Sequence, residues 1–299
     1  MPPSPSPPLL RRWLLAARPK TLPLSLSPVV AGLALVLAEQ GGLALGIAAV
    51  TLLAAAAIQI GTNLYNDAAD FERGADTFAR LGPPRATAQG WFKAQEVKLA
   101  AHLMFALAFA LGLILLARGG LPILLLGLAS LAAGYAYTGG PRPIAYGPFG
   151  ELYAWAFFGV AAVAGTYYLQ TLSPSGSAWI AGVALGSLAA AVLLVNNYRD
   201  LESDLAAGRK TLCALLGRPR ARFLYAALVL LPVPLLMALQ PLQAPWVLAG
   251  ALPLGALLIW RLWRLGIGPE LNGLLALTAQ YQAFLVLLLI LGLFWPRWP

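Results

Sequence analysis

Every aspartate in the chain falls in one of two short stretches. The first reads Asn63-Leu64-Tyr65-Asn66-Asp67-Ala68-Ala69-Asp70-Phe71-Glu72-Arg73-Gly74-Ala75-Asp76, and the second Asn196-Asn197-Tyr198-Arg199-Asp200-Leu201-Glu202-Ser203-Asp204. Each opens on an asparagine followed four residues later by an aspartate. Helical residues three and four apart share a face, so Asn63, Asp67 and Asp70 line one face, and Asn196, Asp200 and Asp204 another. Carboxylates and amide carbonyls form an oxygen-only donor set. That set suits a hard cation such as Mg2+, which commonly joins a few carboxylates to substrate phosphates. Like charges packed this closely repel and are costly to bury unless something neutralises them.

The flanking charges point the same way. Residues 67–98 carry five acids and five bases, and residues 199–222 carry three acids and six bases. The first stretch therefore has no positive surplus with which to hold an anion. A divalent ion lets the aspartates share a site with a diphosphate whose remaining oxygens are contacted by Arg85, Arg209 and Lys210. The alternative is solvated loop acids paired with nearby arginines, which does not account for the pattern occurring twice.

The elements that position these residues follow from hydropathy. Of the 299 residues, 60% are hydrophobic and only 10% charged, whereas soluble domains are about 25% charged. Folding cannot hide that much apolar surface from water, and disorder requires the opposite composition. The chain is expected to be an all-α polytopic membrane protein. Nine spans of about 20 residues are predicted near 21–39, 43–66, 97–117, 121–138, 150–171, 178–199, 222–239, 245–263 and 275–295. With the N-terminus in the cytoplasm, 18 of the 20 lysines and arginines fall on the inner side, leaving Arg118 and Arg297 outside, as the positive-inside rule requires. The net charge of +9 then calls for no nucleic-acid partner. Glu39 is the one acid on the outer side. Both aspartate stretches emerge from their spans on the cytoplasmic side of the cell membrane, four spans apart, a weak internal repeat. The expected organisation is a disordered or interfacial segment over residues 1–17 and one transmembrane domain over 18–299. That domain comprises two pseudo-repeats of four helices plus a ninth. Single residues Cys213 and His102 exclude an intramolecular disulfide and a histidine-cluster metal site.

The two stretches resemble the paired aspartate motifs of the UbiA-type intramembrane prenyltransferases, in which nine helices surround a cavity. Within that family the chain is most similar to the 1,4-dihydroxy-2-naphthoate prenyltransferases of menaquinone and phylloquinone synthesis. The segments that carry this are Arg18-Pro19-Lys20-Thr21-Leu22-Pro23, Gly82-Pro83-Pro84-Arg85-Ala86-Thr87-Ala88, Gly139-Gly140-Pro141-Arg142-Pro143, Gly165-Thr166-Tyr167-Tyr168-Leu169-Gln170-Thr171, Asn196-Asn197-Tyr198-Arg199-Asp200 and Leu271-Asn272-Gly273-Leu274-Leu275. One departure matters: the family pattern places a second aspartate four residues after the first, where this chain has Phe71, and Asp70 and Asp76 stand instead.

The resemblance implies Mg2+ held by Asp67, by Asp70 or Asp76, and by Asp200 and Asp204, binding an allylic diphosphate with help from Arg85, Lys210 and Arg209. Asn63, Asn196 and Lys20 complete the implied substrate-binding set. An aromatic acid attacks the resulting allylic cation, with loss of diphosphate and CO2. Tyr65, Tyr137, Tyr146 and Tyr198 are either π-face stabilisers of that cation or members of an interfacial aromatic belt. Arg142 is either the contact for the aromatic carboxylate or a topology charge. The prenyl chain lies among the helices, open to the bilayer. The competing expectations are another aromatic acceptor within the same family and, from a different class, a secondary transporter. Against the transporter, ionisable groups are nearly absent at mid-span.

Overall fold

The computed structural model describes residues 7–74 and 81–296, and its regular elements are helices. An amphipathic α1 (Leu9–Ala17) leaves Leu9, Leu10 and Leu14 exposed on one face and stacks Trp13 on Phe92, ring centroids 4.1 Å apart. A left-handed Arg18, φ 55°, turns the chain into α2 (Leu22–Gln40). There follow α3 (Leu45–Glu72), α4 (Ala94–Ala136), α5 (Gly150–Thr171), α6 (Gly176–Arg199), the short α7 (Leu201–Ala206), α8 (Leu212–Met237), α9 (Pro245–Arg264) and α10 (Leu271–Leu293).

Among the described residues, eight helical segments are long and apolar enough to cross a bilayer, against nine spans expected. The difference lies in α4. Its 43 residues would reach about 65 Å at ~1.5 Å per residue, twice the ~30 Å of a hydrocarbon core. Gly120, at φ +63° and ψ −153°, breaks it, a conformation that glycine adopts without steric cost. His102 and Tyr135, on opposite sides of the break, both pack on Tyr65, at 5.8 and 4.7 Å between ring centroids. The arms 94–119 and 121–136 thus fold back on each other and supply the expected third and fourth spans.

Hydrogen bonds at the two ends fix the up-and-down order. At one end Gln170 Oε1 accepts from the Ala44 N–H at 2.8 Å, Tyr167 donates to Glu39 at 2.6 Å, and Arg118 donates to the carbonyls of Leu169 and Gln170. Those last carbonyls of α5 are helix-terminal acceptors with no intrahelical partner. The carboxyl ends of α3 and α6, with both aspartate stretches, lie at the other end.

Helix α6 occupies the centre, with Leu185, Leu188 and Leu194 fully buried, and packs against α5, α8 and α10. Its approach to α5 requires glycine. A Cβ on Gly159 would sit 2.2 Å from the Cα of Gly186 and 2.4 Å from the carbonyl oxygen of Gly182. At this crossing α5 runs as a π-helix from Ala156 to Ala161, an irregularity often found at functional sites. The outer faces are apolar, as on α4, where Leu99, Leu103, Leu107, Leu121 and Leu125 are exposed, the pattern of a lipid-facing surface.

Candidate active site

Helix carboxyl ends carry partial negative charge, so an aspartate placed there is destabilised unless a positive or N–H partner reaches it. Both aspartate stretches occupy such ends, and the structure provides those partners. Asp67, fully buried, accepts from the backbone N–H of Ala86 at 2.8 Å, from that of Thr87 at 3.0 Å, and from the Thr87 hydroxyl. The residue following α6, Asp200, accepts from its neighbour Arg199 at 2.7 Å. Asp70 lies between two guanidinium groups, Arg85 at 3.2 Å and Arg209 at 2.7 Å. Arg209 also reaches Asp204 at 3.4 Å.

Arg209 therefore joins the two stretches, the meeting that the duplicated pattern predicts. Burial alone lowers the affinity of Arg209 for its proton, but the Asp70 carboxylate and the Tyr146 hydroxyl outweigh it and hold the guanidinium above its ordinary pKa. It is cationic at any physiological pH.

These groups form the polar head of a cavity of about 760 Å³. Its head is lined by Asn63, Asn66, Asp70, Arg85, Asn196, Asn197, Arg199, Asp200, Asp204, Arg209 and Asn272, with Lys20 at the rim. Its body runs among apolar residues of several spans, including Val29, Ala54, Leu115, Leu126, Phe157 and Phe158. A carboxylate–guanidinium head on a long apolar pocket is complementary to an amphiphile with an anionic end.

The expected site residues sort into three groups. Asp70, Asp200, Asp204, Arg85, Arg209, Asn196, Lys20 and Tyr137 line the cavity. Asn63 lines it too, but its amide is engaged in holding the α1–α2 link, donating to the Ala17 carbonyl and the Thr21 hydroxyl, both at 3.0 Å. Asp67, Tyr146, Tyr198, Arg142 and Lys210 are not in the lining, each for a visible reason. Asp67 is turned into the 85–87 loop and holds it. The Tyr146 ring already carries Arg209 at 4.5 Å and Arg73 at 5.5 Å. The Tyr198 ring carries Arg218 and Arg222 at 5.3 and 5.7 Å, so both tyrosine rings are already engaged by arginines. Tyr65 packs on His102 and Tyr135 as described. Arg142 is exposed on its loop. Lys210 is exposed as well and contributes a backbone N–H to the Tyr146 carbonyl at 2.9 Å. Asp76 lies outside the described residues.

Several lining residues, Asn197 among them, escaped the sequence reading. Asn66 accepts from the Thr138 hydroxyl at 2.6 Å. Asn272 accepts from Arg199 and donates to the Leu81 carbonyl at 2.8 Å, tying the start of α10 to the loop before Arg85. Its place in the Leu271-Asn272-Gly273 segment was the available signal. Arg199 falls on the Asn196–Asp200 face by helical spacing, and the Tyr153 ring also borders the cavity.

The donor set facing the cavity is all oxygen, from Asp70, Asp200, Asp204 and the neighbouring asparagines, and suits a hard divalent ion. Among the described residues no three carboxylates already converge on a common point. Each cavity-facing aspartate is instead neutralised by an arginine, an arrangement that fits an ion arriving together with an anion able to take the arginines over.

Comparison with known proteins agrees with the architecture. The chain is 37% identical to a 1,4-dihydroxy-2-naphthoate octaprenyltransferase of Mycobacterium tuberculosis, over 80% of this chain and 81% of that one. It is 37% identical to one of Haemophilus influenzae, over 74% of each. A UbiA homologue from Archaeoglobus fulgidus, solved bound to GPP and Mg2+, superposes with a TM-score of 0.67 at 20% identity, over 94% of this chain and 99% of that one. The UbiA prenyltransferase family profile matches residues 25–288, and the chain belongs to that family.

Proposed function

We propose that this protein transfers a prenyl group from a prenyl diphosphate to 1,4-dihydroxy-2-naphthoate, releasing diphosphate and CO2. The observation that carries this reading is the Asp70–Arg209–Asp204 bridge at the head of an apolar cavity. The named relatives act on dihydroxynaphthoate, and the UbiA homologue of similar fold binds a prenyl diphosphate with Mg2+.

Asp70, Asp200 and Asp204 would hold Mg2+, and Asp76 is a further candidate. A divalent ion bound there would offset the carboxylate charge and supply a Lewis acid for the leaving diphosphate. Arg85 and Arg209, released from Asp70, donate to the diphosphate oxygens, so each charged group exchanges one partner for another and none is left bare in a low-dielectric site. The apolar body takes the prenyl chain and keeps water from the reacting carbon. Tyr137, Tyr153, Phe157 and Phe158 present the aromatic faces that border the cavity and stabilise positive charge as the carbon–oxygen bond breaks. The ring carbon then takes the prenyl group while the carboxyl leaves as CO2. The distribution of lysines and arginines supports a position for this head on the cytoplasmic side of the cell membrane. Purified protein in lipid nanodiscs, given dihydroxynaphthoate, Mg2+ and prenyl diphosphates of increasing length, should yield prenylated, decarboxylated product by mass. No product with any donor overturns the reading.

A further inference from the structure

Glu151 begins α5 next to the cavity head, is 4% exposed, and belongs to neither aspartate stretch. Its Oε1 accepts from Asn197 Nδ2 at 2.9 Å, and its Oε2 is buried without a partner. A carboxylate held this way inside a bundle is costly, and ionisable residues within membrane spans are retained chiefly for function. Asn197 itself borders the cavity, whereas Glu151 stands behind it.

The hydrogen bond between the pair sets how the asparagine is turned. An amide can present either its oxygen or its nitrogen, and Asn197 turns its nitrogen to Glu151 Oε1. That contact holds the NH2 of Asn197 on Glu151 and leaves its carbonyl oxygen for the cavity that Asn197 lines. Most of the head is built of carboxylates matched to guanidinium groups, which suits the diphosphate. The Asn197 oxygen is a neutral acceptor in the same head and suits a hydroxyl donor.

We infer that Glu151 is a positioning residue that orients Asn197 to accept a hydrogen bond from a phenolic hydroxyl of the aromatic acceptor. This rests on the prenyl-transfer reading above and adds to it how the acceptor is recognised. A glutamine at 151 still offers an oxygen to Asn197 but can also pair with the flipped amide, and a leucine offers nothing.

The test compares the wild type with Glu151→Gln and Glu151→Leu in nanodiscs. It measures equilibrium binding of 1,4-dihydroxy-2-naphthoate and of its 1,4-dimethoxy analogue by tryptophan fluorescence, and the KM for prenyl diphosphate. Loss of one oriented hydrogen bond corresponds to about tenfold in affinity. Glu151→Leu should bind the dihydroxy compound about tenfold more weakly and the dimethoxy compound as the wild type does, with Glu151→Gln between. The prenyl diphosphate KM should stay within about twofold. Equal weakening of both naphthoates, a parallel rise in the diphosphate KM, or unchanged binding by both variants overturns the inference. Wild-type turnover keeps the two readings apart: if the wild type prenylates dihydroxynaphthoate and the variants fail these criteria, only the role of Glu151 falls.

Discussion

Arg209 Nη2 donates to Asp70 Oδ1 at 2.7 Å across 139 residues of sequence. Through its other terminal nitrogen the same side chain reaches Asp204 at 3.4 Å, so one guanidinium neutralises acids from both halves of the chain. This charge-assisted contact places the carboxyl ends of α3 and α6 over one cavity. It also means that the arginine proposed to bind the diphosphate already stands among the groups proposed to hold the metal.

Removing that side chain should therefore do two kinds of damage. Arg209→Ala is expected to lower kcat/KM by about 100-fold or more, the usual loss on deleting one oriented donor to developing negative charge. Arg209→Lys should recover only part of it, because an ammonium cannot span two carboxylates as the planar fork does. Steady-state kinetics against prenyl diphosphate read this directly, and an alanine variant within about threefold of wild type would remove Arg209 from the site.

The aspartates are expected to separate by role. Asp67 accepts three hydrogen bonds from Ala86 and Thr87, so Asp67→Asn puts an NH2 against donors and loosens the loop that carries Arg85. Activity and thermal stability should fall, while the Mg2+ concentration giving half-maximal rate stays within about twofold. Asp200→Asn and Asp204→Asn should raise that concentration about tenfold or more, since each removes an oxygen donor and a charge from the proposed metal set. A Mg2+ titration of the three variants distinguishes these outcomes, and an Asp67 variant with the largest Mg2+ shift would return that residue to the metal.

Much of this was legible in the sequence because it depends on local rules. Helical spacing placed Asp70, Asp200 and Asp204 on faces now found at the cavity, and charge-free runs located the spans, including the two arms of α4 on either side of Gly120. The hydrogen bonds of Asp67 were not legible, since they depend on the path of the 81–93 loop, whose backbone N–H groups reach the carboxylate. Nor was the fate of Tyr146 and Tyr198. Residue type announces an aromatic face, but only the fold shows that arginines already cover it. The part taken by Asn272, joined to Arg199 and Leu81, arises from contacts far apart along the chain that no periodicity encodes.

Arg142 sits exposed on the 137–149 loop, outside the cavity lining. Arg142→Ala should leave the KM for dihydroxynaphthoate within about twofold of wild type. A selective rise in that KM of about tenfold would show that the loop folds over the bound acceptor.

Chelation separates the enzyme from a transporter of the same shape. With the metal removed, Asp70, Asp200 and Asp204 keep their arginine partners, so EDTA should abolish turnover without unfolding the bundle. Mg2+ in excess of the chelator should restore it. The thermal transition of the detergent-solubilised protein should shift only slightly on adding EDTA, and rise when Mg2+ and a non-hydrolysable prenyl diphosphate analogue are present together, as binding to the native state requires. Activity indifferent to chelation would mean that arginines alone carry the leaving-group charge.

The packing of α5 on α6 supplies a prediction independent of the chemistry. At Gly159 an added methyl would lie 2.2 Å from the Gly186 Cα and 2.4 Å from a backbone carbonyl, and backbone cannot rotate away as a side chain can. Gly159→Ala must therefore push the two helices apart along the segment that carries Phe157 and Phe158 into the cavity. Overpacking of this kind costs roughly 1–3 kcal/mol, so the thermal midpoint should fall by several degrees, with the donor KM rising as the apolar wall shifts. Gly112→Ala is the control. It lies on α4, where an added Cβ meets nothing within 4 Å, and alanine is the better helix former by about 1 kcal/mol, so stability should hold or increase. A Gly159→Ala protein as stable as wild type would show that the crossing can relax, and the π-helical turn of α5 is the segment that would absorb the shift.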